Sequence, residues 1–351
     1  MRSFQVCVCG EPLRLAEQST PEPAGTQVLL KVLAAGVCHS DLHLSDGYFD
    51  LGGGKRMSLA DRGMKLPVTL GHENVGEVVA VGKEARGVKL GARMLAHPWI
   101  GCGECTVCKR GDENLCTAMR SLGVFTPGGY SDYLMVPHPR YLFDIGDLPP
   151  ERVAPLACSG VTTYGALKKA SATLKTEPLV IIGAGGLGLM CLALHKAMGG
   201  HSAIVVDIDP VKREAAKKAG AHTVVDGGAP DAAAQIIAAT KGGAWAVIDL
   251  VGSSATARLG VDSLIKGGKY IIVGLYGGDL TLSLPPMPMR ALTVQGSYVG
   301  SLPEMGELME LVRRTGLPPV PVATKRLEEV NAVLDDLRAG KVIGRVVLTP
   351  A

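Results

Sequence analysis

Cys102, Cys105, Cys108 and Cys116 stand at the spacing C-x2-C-x2-C-x7-C, in a stretch otherwise rich in Gly, Asp and Asn. Four thiolates this close in a loop can close a tetrahedral zinc site with no open position, and such a site is structural. An iron–sulfur cluster is the rival reading, because C-x2-C-x2-C also opens ferredoxin-like runs. Upstream, Cys38-His39-Ser40-Asp41-Leu42-His43 gathers a thiol, a hydroxyl, a carboxylate and two imidazoles within six residues. A helix start capped by Ser40 or Asp41 would use only part of that set. A zinc thiolate at Cys38, with the rest arranged around it, would use more. His72, in Gly71-His72-Glu73, follows a short apolar run and takes its meaning from partners elsewhere. The Cys38/His72 pair favours zinc over iron–sulfur in the cysteine loop.

A second kind of chemistry sits in the middle of the chain. Leu179-Val180-Ile181-Ile182 reads as a buried parallel strand, and Gly183-Ala184-Gly185-Gly186-Leu187-Gly188 follows it. Gly183, Gly185 and Gly188 fit G-x-G-x-x-G: a tight turn, a close backbone approach to a pyrophosphate, and a close helix–strand packing. A helix opening there aims free N–H groups at the phosphates. Asp207 ends the next apolar run, 19 residues past Gly188, where a carboxylate for the adenosine ribose is expected. Together these predict a dinucleotide site. Asp207 would repel a 2′-phosphate, and neither Ile208 nor Asp209 compensates, so NAD is expected over NADP.

These residues need a sizeable scaffold. The chain has 351 residues and 47% hydrophobic content, enough for two cores. A net charge of +3 is too mild to argue for nucleic acid or an anionic membrane. The longest uncharged run, 178–194, is short for a membrane span and is accounted for by the glycine fingerprint. Val6 to Cys9 is too brief for a signal-peptide core, so the cytoplasm is expected, where nine cysteines favour thiols or metal ligands over disulfides.

Residues 1–37 alternate short apolar runs with Pro and Gly turns, which predicts an antiparallel β module with Cys7 and Cys9 packed in its core. Residues 44–66 read as a long glycine-rich loop, with room for a helical turn, near the cleft or a subunit contact. From 179 to 273 strands (179–182, 203–207, 223–226, 246–250, 270–273) alternate with helices beginning near Leu187, Pro210, Pro230 and Ser254. That is the pattern of a doubly wound sheet, with Thr293 to Gly300 as a sixth strand. The tail predicts helices at 304–314 and 327–339 and a last strand at 344–348. His97, His138, His195, His201 and His222 have no partner in sequence and read as surface or packing residues.

With Cys38, Gly71-His72-Glu73, the four-cysteine loop, Ala157-Cys158-Ser159-Gly160 and the glycine turn in this order, the chain resembles a zinc-dependent alcohol dehydrogenase of the medium-chain dehydrogenase/reductase family. The resemblance covers essentially the whole chain. It is nearest to the archaeal and bacterial tetrameric enzymes, through Val37-Cys38-His39-Ser40-Asp41, Leu66 to Glu73 and Ser159 to Tyr164. It implies an α/β fold: a doubly wound Rossmann coenzyme domain at 158–296, and a discontinuous, mainly β, GroES-like catalytic domain at 1–157 and 297–351. It also implies a homo-oligomer, dimer or tetramer.

Site roles follow from the same resemblance. Cys38, His72 and Cys158 match the three protein ligands of a catalytic zinc with one open position, a known arrangement for two thiolates and an imidazole. Glu73 matches a nearby carboxylate that can approach the metal, and Asp41 the acceptor that fixes the tautomer of His72. Ser40 and His43 match a proton relay. Lys212 falls beside Asp207 at the adenosine ribose, and Arg345 at the pyrophosphate. His39 is placed at a phosphate contact, where a neutral imidazole is a poor substitute for arginine. Trp99 is placed at the substrate pocket, with plain core packing as the alternative. Gly186 and Leu187 complete the coenzyme turn.

The implied cofactors are two zinc ions and NAD. The implied reaction is oxidation of a primary or secondary alcohol to an aldehyde or ketone, and the reverse, with the relay taking the proton and the nicotinamide the hydride. Three alternatives stand beside it. A zinc-free enone or quinone reductase would lack Cys38, His72 and Cys158, all present here. A polyol or formaldehyde dehydrogenase would share the metal set. A silent zinc protein would not need Ser40 and His43.

Overall fold

The computed structural model describes residues 1–350. Strands Arg2–Val6, Arg14–Glu17 and Val68–Thr69 form a small antiparallel sheet. A seven-stranded sheet takes Val28–Val37, Glu73–Val81, Arg93–Ala96, Tyr133–Val136 and Leu142–Asp144 from the first half of the chain. Its other two strands, Val322–Arg326 and Arg345–Thr349, come from the tail. The β module is therefore discontinuous in sequence.

Between these parts lies a second sheet of six parallel strands: Pro178–Ile182, Ser202–Asp207, Thr223–Asp226, Ala244–Asp249, Leu264–Ile272 and Thr293–Gly296. Counted from the first, their spatial order is 3-2-1-4-5-6. Strand order reverses beside Pro178–Ile182, and ligands bind at such a switch point. Side chains of that strand alternate between two cores. Leu179 and Ile181 join one, Val180 and Ile182 the other, so both faces are covered by helices. Full burial of such a residue contributes about 1.5–3 kcal/mol.

Local chemistry sets the helix starts. Asp209 accepts from the N–H groups of Val211 and Lys212, and Pro210 takes the first position of helix Pro210–Lys218. Ser301 and Glu304 form a capping box on helix Leu302–Thr315. That helix buries Met305, Leu308, Met309, Leu311 and Val312 in a core shared with Leu179 on one side and Ala34 and Val75 on the other. It fastens the two modules together.

Three expectations change, and one strand is added. Residues 44–66 hold the end of helix His39–Asp46, in line with a helical turn there, but are not otherwise all loop: Tyr48–Asp50 pairs with Arg56–Ser58. Glycines at 52–54, all with positive φ, make the turn of that hairpin and hid the strands. Cys7 and Cys9 are not core residues, because the first strand stops at Val6, leaving Cys7 half-buried and Cys9 exposed. The tail strand Val322–Arg326 has no apolar pattern, since it lies on the sheet edge with four of its five residues exposed. Residues 327–339 divide into a 3-10 turn, Leu327–Glu329, and helix Val330–Arg338.

Candidate active site and metal centres

The pairing of two strands builds the first centre. Val28–Val37 runs antiparallel to Glu73–Val81 with Gly36 opposite Glu73. Cys38, just past one strand, thereby meets His72, just before the other. Only glycine fits at 36, because a Cβ there would stand 2.9 Å from the Cβ of Glu73. Cys158 arrives from the coenzyme side, at the N-cap position of helix Ser159–Lys169. The ligand atoms of Cys38, His72, Glu73 and Cys158 lie within 4.8 Å of one another, all buried.

This cluster fits a metal ion. The Cys38 and Cys158 sulfurs are 4.0 Å apart, close to the ~3.8 Å edge of a tetrahedron with ~2.3 Å Zn–S bonds. His72 is fully buried, and its Nε2 has no hydrogen-bond partner, a costly state unless an ion is bound. Its Nδ1 lies 3.2 Å from Asp41 Oδ1, within ion-pair reach but out of line for a hydrogen bond. Asp41 is held in turn by the Cys38 N–H (2.9 Å) and by the Tyr130 hydroxyl (2.8 Å). Burial alone would lower the pKa of His72, but Asp41 and then Cys38 outweigh it and hold it well above its ordinary value. The hydrogen bond between the two thiol groups keeps Cys38 well below the usual thiol range and pushes Cys158 well above it.

Glu73 and Arg345 form a buried pair. Burial raises the Glu73 carboxyl to about 7 against the pull of the guanidinium. Arg345 was expected at the pyrophosphate. It does stand at the foot of the glycine turn, where a Cβ on Gly186 would come within 2.7 Å of its Cδ. Its guanidinium also pairs with Glu73, because a buried carboxylate without a counter-charge costs several kcal/mol. Its Nε has no partner.

The glycine turn faces the same cleft. Gly183 has φ +98, and a Cβ on Gly188 would collide with the Gly183 carbonyl oxygen. A Cβ on Gly185 would meet nothing within 4 Å: the space beyond it is open. Helix Gly186–Ala197 starts there with no side-chain cap, leaving its first N–H groups to the cleft. Asp207 accepts from the N–H groups of Ala184 (2.7 Å) and Asp209 (2.9 Å), so it braces the turn as well as ending its strand. Lys212 lines the same cleft, its Nζ 4.0 Å from Asp209 and beside Gly340. Arg213, which the sequence did not single out, donates to the Asp207 carbonyl at 2.8 Å and pairs with Asp226.

One cleft of about 1450 Å³ collects these groups. Cys38 and Cys158 lie on its wall with His39, Ser40 and His43, and the glycine turn, Asp207, Lys212 and Arg345 line its other part. Ser40 and His43 are three residues apart on helix His39–Asp46 and share a face. Trp99 does not line the cleft. It packs behind His72 at a ring separation of 5.4 Å, and Tyr298, 6.5 Å from Trp99, takes the place on the wall. Sequence reasoning had placed Tyr298 only as part of a strand.

The second centre is the cysteine loop. Neighbouring sulfurs of Cys102, Cys105, Cys108 and Cys116 are 3.5 to 3.9 Å apart. Backbone N–H groups of Cys105, Cys108 and Ala118 point at Cys102, Cys105 and Cys116. The backbone N–H of Glu104, and then that of Cys105, pull the Cys102 thiol down to about 6. Four sulfurs this close converge on a single ion; a cluster with each cysteine on a separate iron would hold them further apart.

A dinucleotide turn and an open metal donor set on one cleft, with a closed tetrathiolate beside it, define a metal-dependent dehydrogenase. The sequence pattern of the alcohol dehydrogenase GroES-like domain matches residues 24–147, and that of the zinc-binding dehydrogenases matches residues 186–314. The chain is 42% identical, over the full length of both proteins, to the NAD-dependent alcohol dehydrogenases of Sulfurisphaera tokodaii and Saccharolobus solfataricus. The crystal structure of the alcohol dehydrogenase from Aeropyrum pernix superposes with a TM-score of 0.90 at 33% identity, covering all of both chains. The chain belongs to the zinc-dependent alcohol dehydrogenases of the medium-chain dehydrogenase/reductase family.

Proposed function

We propose that this enzyme oxidises primary or secondary alcohols to aldehydes or ketones with NAD, and runs the reverse reduction, at the cleft between modules 1–157 plus 297–351 and 158–296. One observation carries the reading: Cys38 and Cys158, two of the three donors of the open metal set, line the same cleft as the glycine turn. Cys38, His72 and Cys158 would hold zinc, which would supply Lewis acidity, and the glycine turn would hold NAD, which would supply the hydride acceptor. NADH formation with an alcohol panel tests this. The expected result is turnover, with kcat/KM far higher for NAD than NADP and the gap narrowed by Asp207→Gly. Equal use of the two cofactors would remove Asp207 from the selection, and no turnover by metal-replete protein would overturn the activity.

The protein groups divide the remaining work. Asp41 acts on His72 through its charge, 3.2 Å from Nδ1, and anchors the Cys38 backbone. Arg345 balances Glu73 beneath the turn. Ser40 Oγ, on the cleft wall, takes the substrate hydroxyl proton and hands it toward the His43 imidazole. Burial, and then the neighbouring His39, hold His43 below its ordinary 6.5, so it is a neutral acceptor at pH 7. Ser40→Ala is expected to lower alcohol oxidation by about 10²–10³-fold, since no bulk base reaches that point. His43→Ala should cost only about 10-fold, because water or buffer replaces a group at the exit. The contribution of His43 is full above its folded pKa and fades as pH falls below it, on the acid side of 6.5. A pH profile of His43→Ala identical to the parent from pH 5 to 9, at full activity, would remove it from the relay.

Two further assignments concern the whole protein. No helix among the described residues is long and apolar enough to cross a membrane. We place the enzyme in the cytoplasm, where its nine free cysteines stay reduced. A thiol count below nine per denatured chain, taken directly from cell extract, would argue otherwise. A homodimer, or a dimer of dimers, is the expected assembly. Thr293–Gly296 is a free sheet edge, flanked by exposed Leu284 and Met289, and a second copy across a twofold axis would cover it. A monomer mass in light scattering at micromolar concentration would rule this out.

A further inference from the structure

The lobe that carries the four cysteines also walls the cleft. Asp112, Asn114 and Leu115 line the cavity, although Glu113–Leu115 is the 3-10 turn leading into Cys116. Glu113 fixes that turn to the β module. Its carboxylate accepts from the Tyr141 hydroxyl (2.7 Å) and the Gly101 N–H (3.2 Å), and it pairs with Arg140 at 2.8 Å. From this anchored turn Asn114, 7% exposed, reaches the other way. Its Nδ2 donates to the carbonyl oxygen of Tyr298 at 3.0 Å. A carbonyl can only accept, so the amide has one orientation, with its NH2 edge toward Tyr298.

Tyr298 follows the last strand of the coenzyme sheet and stands on the cleft wall. Its ring leans on Trp99, which leans on His72. Contact therefore runs unbroken from the four-cysteine lobe, through one side-chain amide, to the ring beside the open metal set. We propose that Asn114 is a positioning residue for substrate selection: it holds Tyr298 at the cleft and thereby sets the width of the substrate channel.

This rests on the cleft being the alcohol-oxidising site. Without the amide, the Tyr298 carbonyl loses its donor, and segment 297–300 relaxes away from the lobe. Misplacement of a positioning element by about 1 Å can change rates by 10²-fold, and one methylene of pocket space discriminates by about 10–200-fold. The effect should fall on bulky substrates and leave small ones nearly untouched. The hydroxyl of Tyr298 has no part in it; the ring does.

The test is a double-mutant cycle on substrate preference. The ratio of kcat/KM for 1-phenylethanol to that for ethanol is measured in the parent, Asn114→Ala, Tyr298→Ala and the double variant, with Tyr298→Phe as control. Asn114→Ala should raise the ratio about 10-fold, mainly through KM for the bulky alcohol. Tyr298→Ala should raise it at least as much, the double variant should match Tyr298→Ala alone, and Tyr298→Phe should match the parent. Additive effects in the double variant, or an equal loss on both alcohols, would overturn the proposal. If no alcohol turns over, the activity reading falls and the tether is decided separately. Trp99 and Trp245 are the only tryptophans, so in a Trp245→Phe background the emission of Trp99 reports the packing of Tyr298. Asn114→Ala must shift that emission in the same direction as Tyr298→Ala, and an unchanged spectrum would refute the tether.

Discussion

Cys38→Ser is expected to lower alcohol turnover by more than about 10³-fold while the protein stays folded and keeps one metal per chain. Changes outside a metal's ligand shell already cost about 10–100-fold, and here a ligand itself is lost. Of the remaining donors, Cys158 would lose the thiol that now shares its hydrogen bond, and His72 Nε2 would keep no partner but a weakly held ion. The fold should survive, because Cys38 only caps helix His39–Asp46, and the backbone bond from its N–H to Asp41 persists with serine. Asp41→Asn provides the graded comparison: the metal stays, the charge beside His72 is removed, and the loss should be in the 10–100-fold range. Zinc analysis, a thermal melt and kcat/KM on the same preparations decide the matter. Retention of two metals with full turnover would show that Cys38 is not a ligand.

Much of this site could be read from the sequence because its parts are local. The glycine turn is six consecutive residues at a strand end, and at Gly183 and Gly188 the backbone itself admits only glycine. The four cysteines span 15 positions, so chain geometry alone brings them together. Cys38, His72 and Cys158 are far apart, and spacing could not join them; the strand register that sets Gly36 against Glu73 brings Cys38 to His72, the start of helix Ser159–Lys169 brings Cys158, and only the family resemblance names the three as one set. What stayed illegible has a physical cause in each case. Arg345 pairs with whichever anion its burial admits, and nothing near it in sequence names Glu73. Trp99 and Tyr298 are both aromatic residues in apolar surroundings, and which one reaches the cleft depends on packing between modules. Strand Val322–Arg326 has no apolar period because an edge strand is not obliged to have one. Asn114 carried no signal at all, since a lone amide inside a cysteine loop reads as loop solvation.

Cys105→Ser, by contrast, should act on stability before it acts on chemistry. The stretch from 101 to 118 has little of its own to hold it: one four-residue helix, Thr106–Lys109, and one 3-10 turn. Of its side chains only Cys108, Glu113, Asn114 and Cys116 are buried, so no apolar core compensates for a lost ion. Structural zinc contributes about 10–16 kcal/mol in small zinc peptides. If about 5 kcal/mol of that is lost here, at about 2 °C per kcal/mol for a large domain, the apparent Tm falls by about 10 °C. Proteases should then cut within 101–118 under conditions where the parent resists, because local opening needs no global unfolding. The open metal set lies outside the lobe, so one zinc per chain and measurable turnover should remain at low temperature. Preference for bulky alcohols should rise with it, since a loosened lobe also releases Asn114 from its hold on Tyr298. A Tm and protease pattern equal to the parent's, with one metal gone, would mean that the tetrathiolate is not what holds the lobe. Glu113, bonded to Gly101, Tyr141 and Arg140, would then be the group that does.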